Sequence, residues 1–221
     1  MTVIAIDGPS ASGNSTVARG VAARLGYPYM DSGALYRGIT WKVIESGIDS
    51  FDGARVVEMA AATEVAFSAE NGALVFDLDG RRLTDELREQ VVNDNVSIIA
   101  AIPGVRKLIV DLLRSSVAYG NIVMEGRDIG TAVFPDAAAK FYLDASPEER
   151  ARRRHLEMSE TGQKIEMARV RDSLVSRDDM DRARAKDPLR RAEDAVVLDS
   201  TAMSIDDVVN RILAELESAG I

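Results

Sequence analysis

The sequence contains no cysteine. That rules out disulfide staples, thiolate nucleophiles and thiolate metal sites, and it makes the cytoplasm the expected compartment. Histidine is nearly as scarce. The one histidine, His155, sits in a charged stretch, so His-based metal clusters and catalytic triads drop out of consideration. Aromatic residues make up 5% of the chain, and the one tryptophan, Trp41, falls beside Val43 and Ile44, where packing is expected rather than stacking on a base. No apolar run approaches the roughly 18–20 residues that cross a bilayer. The chain opens on Thr2-Val3-Ile4-Ala5-Ile6-Asp7, without the basic segment of a signal peptide, so neither membrane insertion nor export is expected.

The sequence has 221 residues, 46% of them hydrophobic, enough for one large domain or a core carrying an insertion. A net charge of −9 argues against a general nucleic-acid or membrane-surface binder. Yet 22 of the 27 basic residues are arginine. The guanidinium fork grips phosphate and carboxylate through two parallel bonds, which lysine cannot do. Composition alone leaves two readings open: codon bias, or arginines gathered around a small anion.

Strand-like and helix-like patterns alternate. Residues 2–7 read as a buried strand ended by Gly8-Pro9, 15–25 as an amphipathic helix stopped by Gly26, and 27–31 as a second strand. Residues 33–45 follow as a helix with Leu35, Ile39 and Val43 on one face. Between 65 and 83 the pattern changes to short strands with tight turns at Asn71-Gly72 and Asp79-Gly80, which we read as part of an insertion. Helix is expected after Thr84 and over 103–118, with strands at 122–124, 140–143 and 195–198. Ser146-Pro147-Glu148-Glu149 and Ser204 are helix starts. The alternation predicts an α/β fold with a parallel sheet covered on both faces.

Gly8-Pro9-Ser10-Ala11-Ser12-Gly13-Asn14-Ser15-Thr16 follows a strand and opens a helix, with the glycine spacing of a phosphate-binding loop. Glycines let successive backbone N–H groups curl toward phosphate oxygens at the positive end of the helix dipole. Ser15 occupies the Mg²⁺-ligand position. Asn14 stands where the motif has lysine, and it is neutral. Loss of one charge-stabilising donor typically costs about 10²–10³ in turnover, so a weakened site is expected. An engineered knockout, a natural enzyme compensated by an arginine, and a nucleotide-binding pseudoenzyme all remain open. Asp7, beside the loop, is expected to anchor loop geometry, with a magnesium-bound water as the alternative.

Three further motifs bear on the second substrate: Asp31-Ser32-Gly33-Ala34-Leu35-Tyr36-Arg37, Glu125-Gly126-Arg127-Asp128-Ile129-Gly130-Thr131, and Arg177-Asp178-Asp179 leading to Asp181 and Arg184. With Val133-Phe134-Pro135-Asp136-Ala137, Leu198-Asp199-Ser200 and the phosphate loop, they resemble the bacterial cytidylate (CMP) kinase family of P-loop nucleoside monophosphate kinases, in order and across nearly the whole chain. That resemblance implies a single P-loop kinase domain over 1–221 and a monomer. Its core would be a five-stranded parallel sheet with helices on both faces, carrying an NMP-binding insertion at about 65–100 and a short lid at about 150–165.

The resemblance also implies the chemistry: transfer of the γ-phosphoryl group of ATP to CMP or dCMP, with Mg²⁺. Phosphoryl transfer needs positioning and charge neutralisation more than a strong base, which suits an arginine-rich site. The loop 8–16 would hold ATP, with Ser15 on Mg²⁺. Arg150 and Arg154 would reach the ATP phosphates, and Arg153 would join Arg127 and the Asn14 position in catalysis, Arg152 facing solvent. If any group replaces the lysine charge, this arginine run is the first place to look. Arg37 and Arg127 would hold the acceptor phosphate, with Ser32 near the acceptor. Asp128, Arg106 and Ser97 would read cytosine, since a carboxylate accepts from its exocyclic amine and repels the carbonyl of uracil. Arg177 and Asp181 would take the sugar, with Arg184 also in the acceptor site. Taken alone, Arg127 would suit an ion pair with Asp128, and Arg177 with Asp181 a surface pair four residues apart on a helix. The Asn14 substitution leaves a variant that binds ATP and CMP without useful turnover as the alternative to a weakened kinase.

Overall fold

The computed structural model describes residues 1–160 and 165–221. The chain begins with β1 (Val3–Asp7), α1 (Asn14–Leu25), β2 (Tyr29–Asp31), α2 (Ser32–Glu45) and α3 (Gly53–Ala62). A hairpin of β3 (Val65–Glu70), β4 (Ala73–Leu78) and the short β5 (Arg81–Arg82) leads into α4 (Gln90–Ala101) and α5 (Pro103–Ser115). The second half runs β6 (Ile122–Gly126), β7 (Ala139–Asp144), α6 (Pro147–Glu160), α7 (Met167–Ala183), β8 (Val196–Asp199) and α8 (Ile205–Ser218). Local chemistry sets several ends. Gly26 closes α1 in a left-handed conformation, Asp31 caps α2 through the Ala34 N–H, and Ser204 with Asp207 forms a reciprocal capping box on α8. Of the expected lid, residues 150–160 fall on α6 and 165 lies just before α7, while 161–164 lie outside the described residues.

The sheet order is β3-β4-β2-β6-β1-β7-β8, with β5 pairing antiparallel to the end of β4 on the edge that also meets β2. The run β2-β6-β1-β7-β8 is parallel throughout, giving the expected five-stranded core. The hairpin joins it at β2 through the single parallel pair Tyr29–Ala73, so the described sheet has eight strands and the segment from 65 extends the core sheet. Alternation along the central strands divides the core in two. Val3 and Ala5 of β1 and Ile122 and Met124 of β6 face the layer under α2 to α5. Ile4, Ile6 and Val123 face the layer under α1 and α8. Buried on both faces, these strands read as continuous apolar runs. A third, smaller cluster, Ala151, Met158, Val170 and Leu174, packs α6 on α7.

The connection after β1 runs past β6 to β2, and the one after β6 runs past β1 to β7, so the two leave this central pair in opposite directions and open a crevice at the carboxyl ends of the strands. Helix α1 approaches α8 closely at Gly20, where an added Cβ would come within 2.8 Å of Val209 Cγ2. Alanine would normally gain about 1 kcal/mol over glycine inside a helix. Here overpacking, at about 1–3 kcal/mol, should win. Gly20→Ala is expected to lower the urea midpoint, and a raised midpoint would show that α8 yields freely.

Candidate active site

The phosphate loop crosses the end of β1 in a conformation that its glycines permit. Gly13 has φ 101°, and a Cβ on Gly8 would sit 2.1 Å from the backbone oxygen of Leu143. Three elements hold the loop. The Ser10 N–H donates to Asp178 Oδ1 of α7 at 3.0 Å, and the Ser10 carbonyl accepts from Arg150 Nη1 of α6 at 3.1 Å. Asp178 and Arg150 are buried and paired with each other. Asn14 is also buried. Its amide donates to the carbonyls of Gly8 (3.2 Å) and Gly126 (3.4 Å), and its oxygen accepts from Ser12 Oγ at 2.9 Å. It ties the loop to the end of β6. Arg153 lies against the loop from outside, donating to Ser12 O (3.0 Å) and to Ser200 O (2.6 Å).

Ser15, one residue past Asn14, donates to Glu125 Oε1 at 2.6 Å, and the Tyr29 hydroxyl approaches the same oxygen at 3.3 Å. Burial, with Asp31 adding to it, pushes Glu125 up to about 7. Ser15 and Glu125 offer hard oxygen atoms, but among the described residues no cluster of three or more acidic, His or Cys ligands forms a cage. That donor set suits Mg²⁺, which keeps waters and takes phosphate oxygens rather than filling a protein-only site.

Beside the loop, the turn after β6 presents Arg127 and Asp128. Arg127 donates to Ser10 Oγ at 2.9 Å and lies 3.5 Å from Asp181 Oδ2 on α7, so its ion-pair partner is Asp181 and not Asp128. Burial works against its charge, but Asp181 and then Glu125 outweigh that and hold it firmly protonated. Asp128 pairs with Arg106, which is fully buried, donates also to Asp187 (3.2 Å) and Ala100 O (3.3 Å), and lies over the Tyr36 ring. Arg37 pairs with Asp31 at 2.6 Å, and Arg184 pairs with Asp181. Arg177 is the exception. Its Nε meets no acceptor among the described residues, and burial, then Arg127, with Arg37 and Arg154 adding, push it down to about 10. A concentration of cations at the end of a phosphate loop calls for an anion.

Most of these side chains line one cleft of about 980 Å³, between the hairpin and α4 on one side and α6 and α7 on the other. The model of the family described as "Cytidylate kinase" matches residues 4–218. The chain belongs to the cytidylate kinase family. It is 45% identical to the cytidylate kinase of Desulforamulus reducens, over 97% of this chain and 96% of that one. It is 44% identical to the cytidylate kinase of Desulfitobacterium hafniense, over 96% of this chain and 90% of that one. A gluconokinase from Sinorhizobium meliloti, 18% identical, shares the fold with a TM-score of 0.51 over 98% of this chain and 92% of its own. Neither the weakened site nor the pseudoenzyme alternative raised by Asn14 gains support from these matches to cytidylate kinases.

The cleft of this cytidylate kinase family member gathers the loop residues 9–16 with Ser32, Arg37, Ser97, Arg127, Asp128, Arg153, Arg154, Arg177, Asp181 and Arg184. Gly8, Arg106 and Arg150 stand behind the lining: Gly8 under Leu143, Arg106 enclosed by its four neighbours, and Arg150 spent on Ser10, Ala145 and Asp178. Arg177 and Asp181 share α7 four residues apart, but Asp181 pairs with Arg184 and Arg127. Arg152 is exposed and pairs with Glu149 but also borders the cleft, and Trp41 carries the Arg81 guanidinium on its ring. Sequence reasoning passed over Glu125 as a polar member of the site, although a carboxylate ending a buried strand beside β1 was a signal. It also missed Asp178, whose grip on Ser10 spans 168 residues, and Tyr36, whose buried hydroxyl meets no hydrogen-bond partner among the described residues. Asp7 anchors the turn after β6 rather than the phosphate loop, its two oxygens accepting from Ile129 N and Gly130 N.

Burial outweighs those two bonds and raises Asp7 from its ordinary value to about 7. The folded chain therefore keeps a proton that the unfolded chain has lost between about pH 4 and 7, so Asp7 makes stability fall as pH rises through that window. The slope from one such group is at most about 1.4 kcal/mol per pH unit. Urea midpoints measured from pH 5 to 8 should show the native protein losing stability relative to Asp7→Asn up to about pH 7, with no further divergence above it. Parallel curves would disprove the shift.

Proposed function

We propose that this chain transfers the γ-phosphoryl group of ATP to CMP or dCMP. The observation that carries the reading is the set of cations, Arg37, Arg127, Arg154 and Arg177, whose Nε has no acceptor among the described residues, gathered at the open end of a phosphate loop with the Asp128 carboxylate beside them. The loop N–H groups and the start of α1 bind the donor phosphates. Ser15, with Glu125 behind it, would hold Mg²⁺, which supplies charge neutralisation at the donor's phosphate oxygens. Arg37, Arg127 and Arg177 bind the acceptor phosphate and bring its oxygen in line with the donor. Asp181 and Arg184 take the sugar. Asp128 accepts from the cytosine amine, with Ser97 beside it, and Arg106 acts through Asp128 by fixing its carboxylate rather than by touching the base. Arg150 holds the loop from behind. The hairpin segment and α6 serve as the acceptor-binding and lid parts of a single domain.

The lysine charge comes from Arg153. Its guanidinium already lies on the loop at Ser12, with Arg127 on the other side at Ser10. Both positions let a cation move onto phosphate as the cleft closes and excludes water. Two measurements test this reading. Mg-ATP with CMP should give CMP-dependent ADP formation in a coupled assay, and no CMP stimulation would sink the kinase assignment. Arg153→Ala should lower kcat by about 10²–10³, while Asn14→Lys should leave it nearly unchanged. A rise of that size in Asn14→Lys would mean that no arginine has taken over the charge.

A further inference from the structure

The single wide turn of helix at Ile129–Val133 follows the base-reading position directly. The first N–H groups of any helical turn have no partner within it and need outside acceptors. Asp128 stands just before them, where aspartate ordinarily caps the turn with its own carboxylate. Its side chain makes no capping bond. Both N–H groups go to Asp7 of β1 instead: Oδ1 accepts from Ile129 N and Oδ2 from Gly130 N, each at 2.8 Å. The turn lies directly on that carboxylate, and a Cβ on Gly130 would meet Asp7 Oδ2 at 3.4 Å and the Lys140 side chain at 3.1 Å. With its own turn already capped, Asp128 extends the other way, to Arg106 and the cleft lining.

We propose that Asp7 is a positioning residue for selection of the acceptor base: by capping the 129–133 turn from the neighbouring strand, it releases the Asp128 side chain to face the ligand. This rests on the reading of Asp128 as the group that accepts from the cytosine amine. Without Asp7, both N–H groups lose their acceptor, and the Gly130 N–H stands at the second position of the turn, which an N-cap aspartate ordinarily caps, so local capping competes with the base for the Asp128 carboxylate. The effect is confined to the acceptor side. The phosphate loop is held by Asp178, Arg150 and Asn14, while both hydrogen-bonded oxygens of Asp7 serve the turn.

The test is steady-state kinetics with CMP and with UMP at pH 8, above the raised Asp7 value so that its carboxylate is ionised, together with ATP affinity by calorimetry, on the native protein, Asp7→Asn and Asp7→Ser. Each variant can satisfy at most one of the two N–H groups well. KM for CMP should rise, and the CMP-over-UMP ratio in kcat/KM should fall by about ten- to a hundred-fold, the usual contribution of one charge-assisted hydrogen bond, with ATP affinity unchanged. An unaltered ratio in both variants overturns the proposal. So does a parallel loss of ATP affinity, or failure of both variants to fold, since either assigns Asp7 a general structural role. A native protein that phosphorylates UMP as well as CMP overturns the base-reading role of Asp128 itself, and this inference with it.

Discussion

Asp7 pairs with Gly126 at the end of the parallel ladder between β1 and β6, so the phosphate loop and the Arg127–Asp128 turn leave the sheet side by side. Donor and acceptor machinery must meet within a few ångströms, and this ladder places them there before any side chain takes part. The polar groups then cross-link the two exits. Asn14 leaves the loop to reach Gly126 O, Arg127 leaves the turn to reach Ser10 Oγ, and Asp7 holds the turn from the strand that feeds the loop. Rigid scaffolding with function at the strand ends is the general logic of open α/β sheets.

The site is also where the fold accepts the greatest electrostatic cost. Burying charge is unfavourable unless pairing and hydrogen bonds offset it, and even a good buried pair adds little net stability. Arg150 with Asp178, and Arg106 with Asp128, are pairs of this kind, each saturated by further carbonyl or carboxylate acceptors. Stability alone would favour apolar packing there. What these pairs secure is geometry: one fixes a loop peptide and the other a carboxylate. Arg177 differs: Asp181 offsets only part of the cost of its burial, and its Nε has no acceptor among the described residues. A buried cation left short of acceptors in a cleft is a candidate to meet an anionic ligand.

Much of this was legible in the sequence, for identifiable reasons. The apolar runs at 3–6, 122–124 and 140–143 are doubly buried parallel strands, and Gly8 with Gly13 at their fixed spacing needs a loop. Ser204 followed by Asp207 announces α8. Other features depend on partners far along the chain and leave no local mark. Helix α7 carries few apolar residues, because its inward face is largely the polar set Asp178 and Asp181 with Val170 and Leu174. Arg150 looks like part of a solvated or ligand-seeking run, and only the fold puts its guanidinium under Ser10. The pairing of Arg127 with Asp181 rather than its neighbour Asp128 follows from the turn geometry, which sends adjacent side chains to opposite sides.

Asn14 shows why a motif read residue by residue can mislead about mechanism. An ammonium in that position could donate to carbonyls but could not accept, so the bond from Ser12 Oγ to Asn14 Oδ1 has no equivalent with lysine. The asparagine side chain therefore serves the loop's underside with both a donor and an acceptor, and its shape is closed around the loop rather than extended toward solvent. The positive charge that the chemistry requires is then free to come from a different direction. Arg153 approaches the outside of the same loop, where its guanidinium can hold Ser12 and Ser200 in the free protein and turn to phosphate in the closed one. On the proposed reading, a charge carried by helix α6 rather than by the loop would tie charge neutralisation to cleft closure, since Arg153 must leave Ser12 and Ser200 to reach phosphate. Such a coupling would keep water from ATP until the acceptor is bound, which a lysine fixed on the loop would not do.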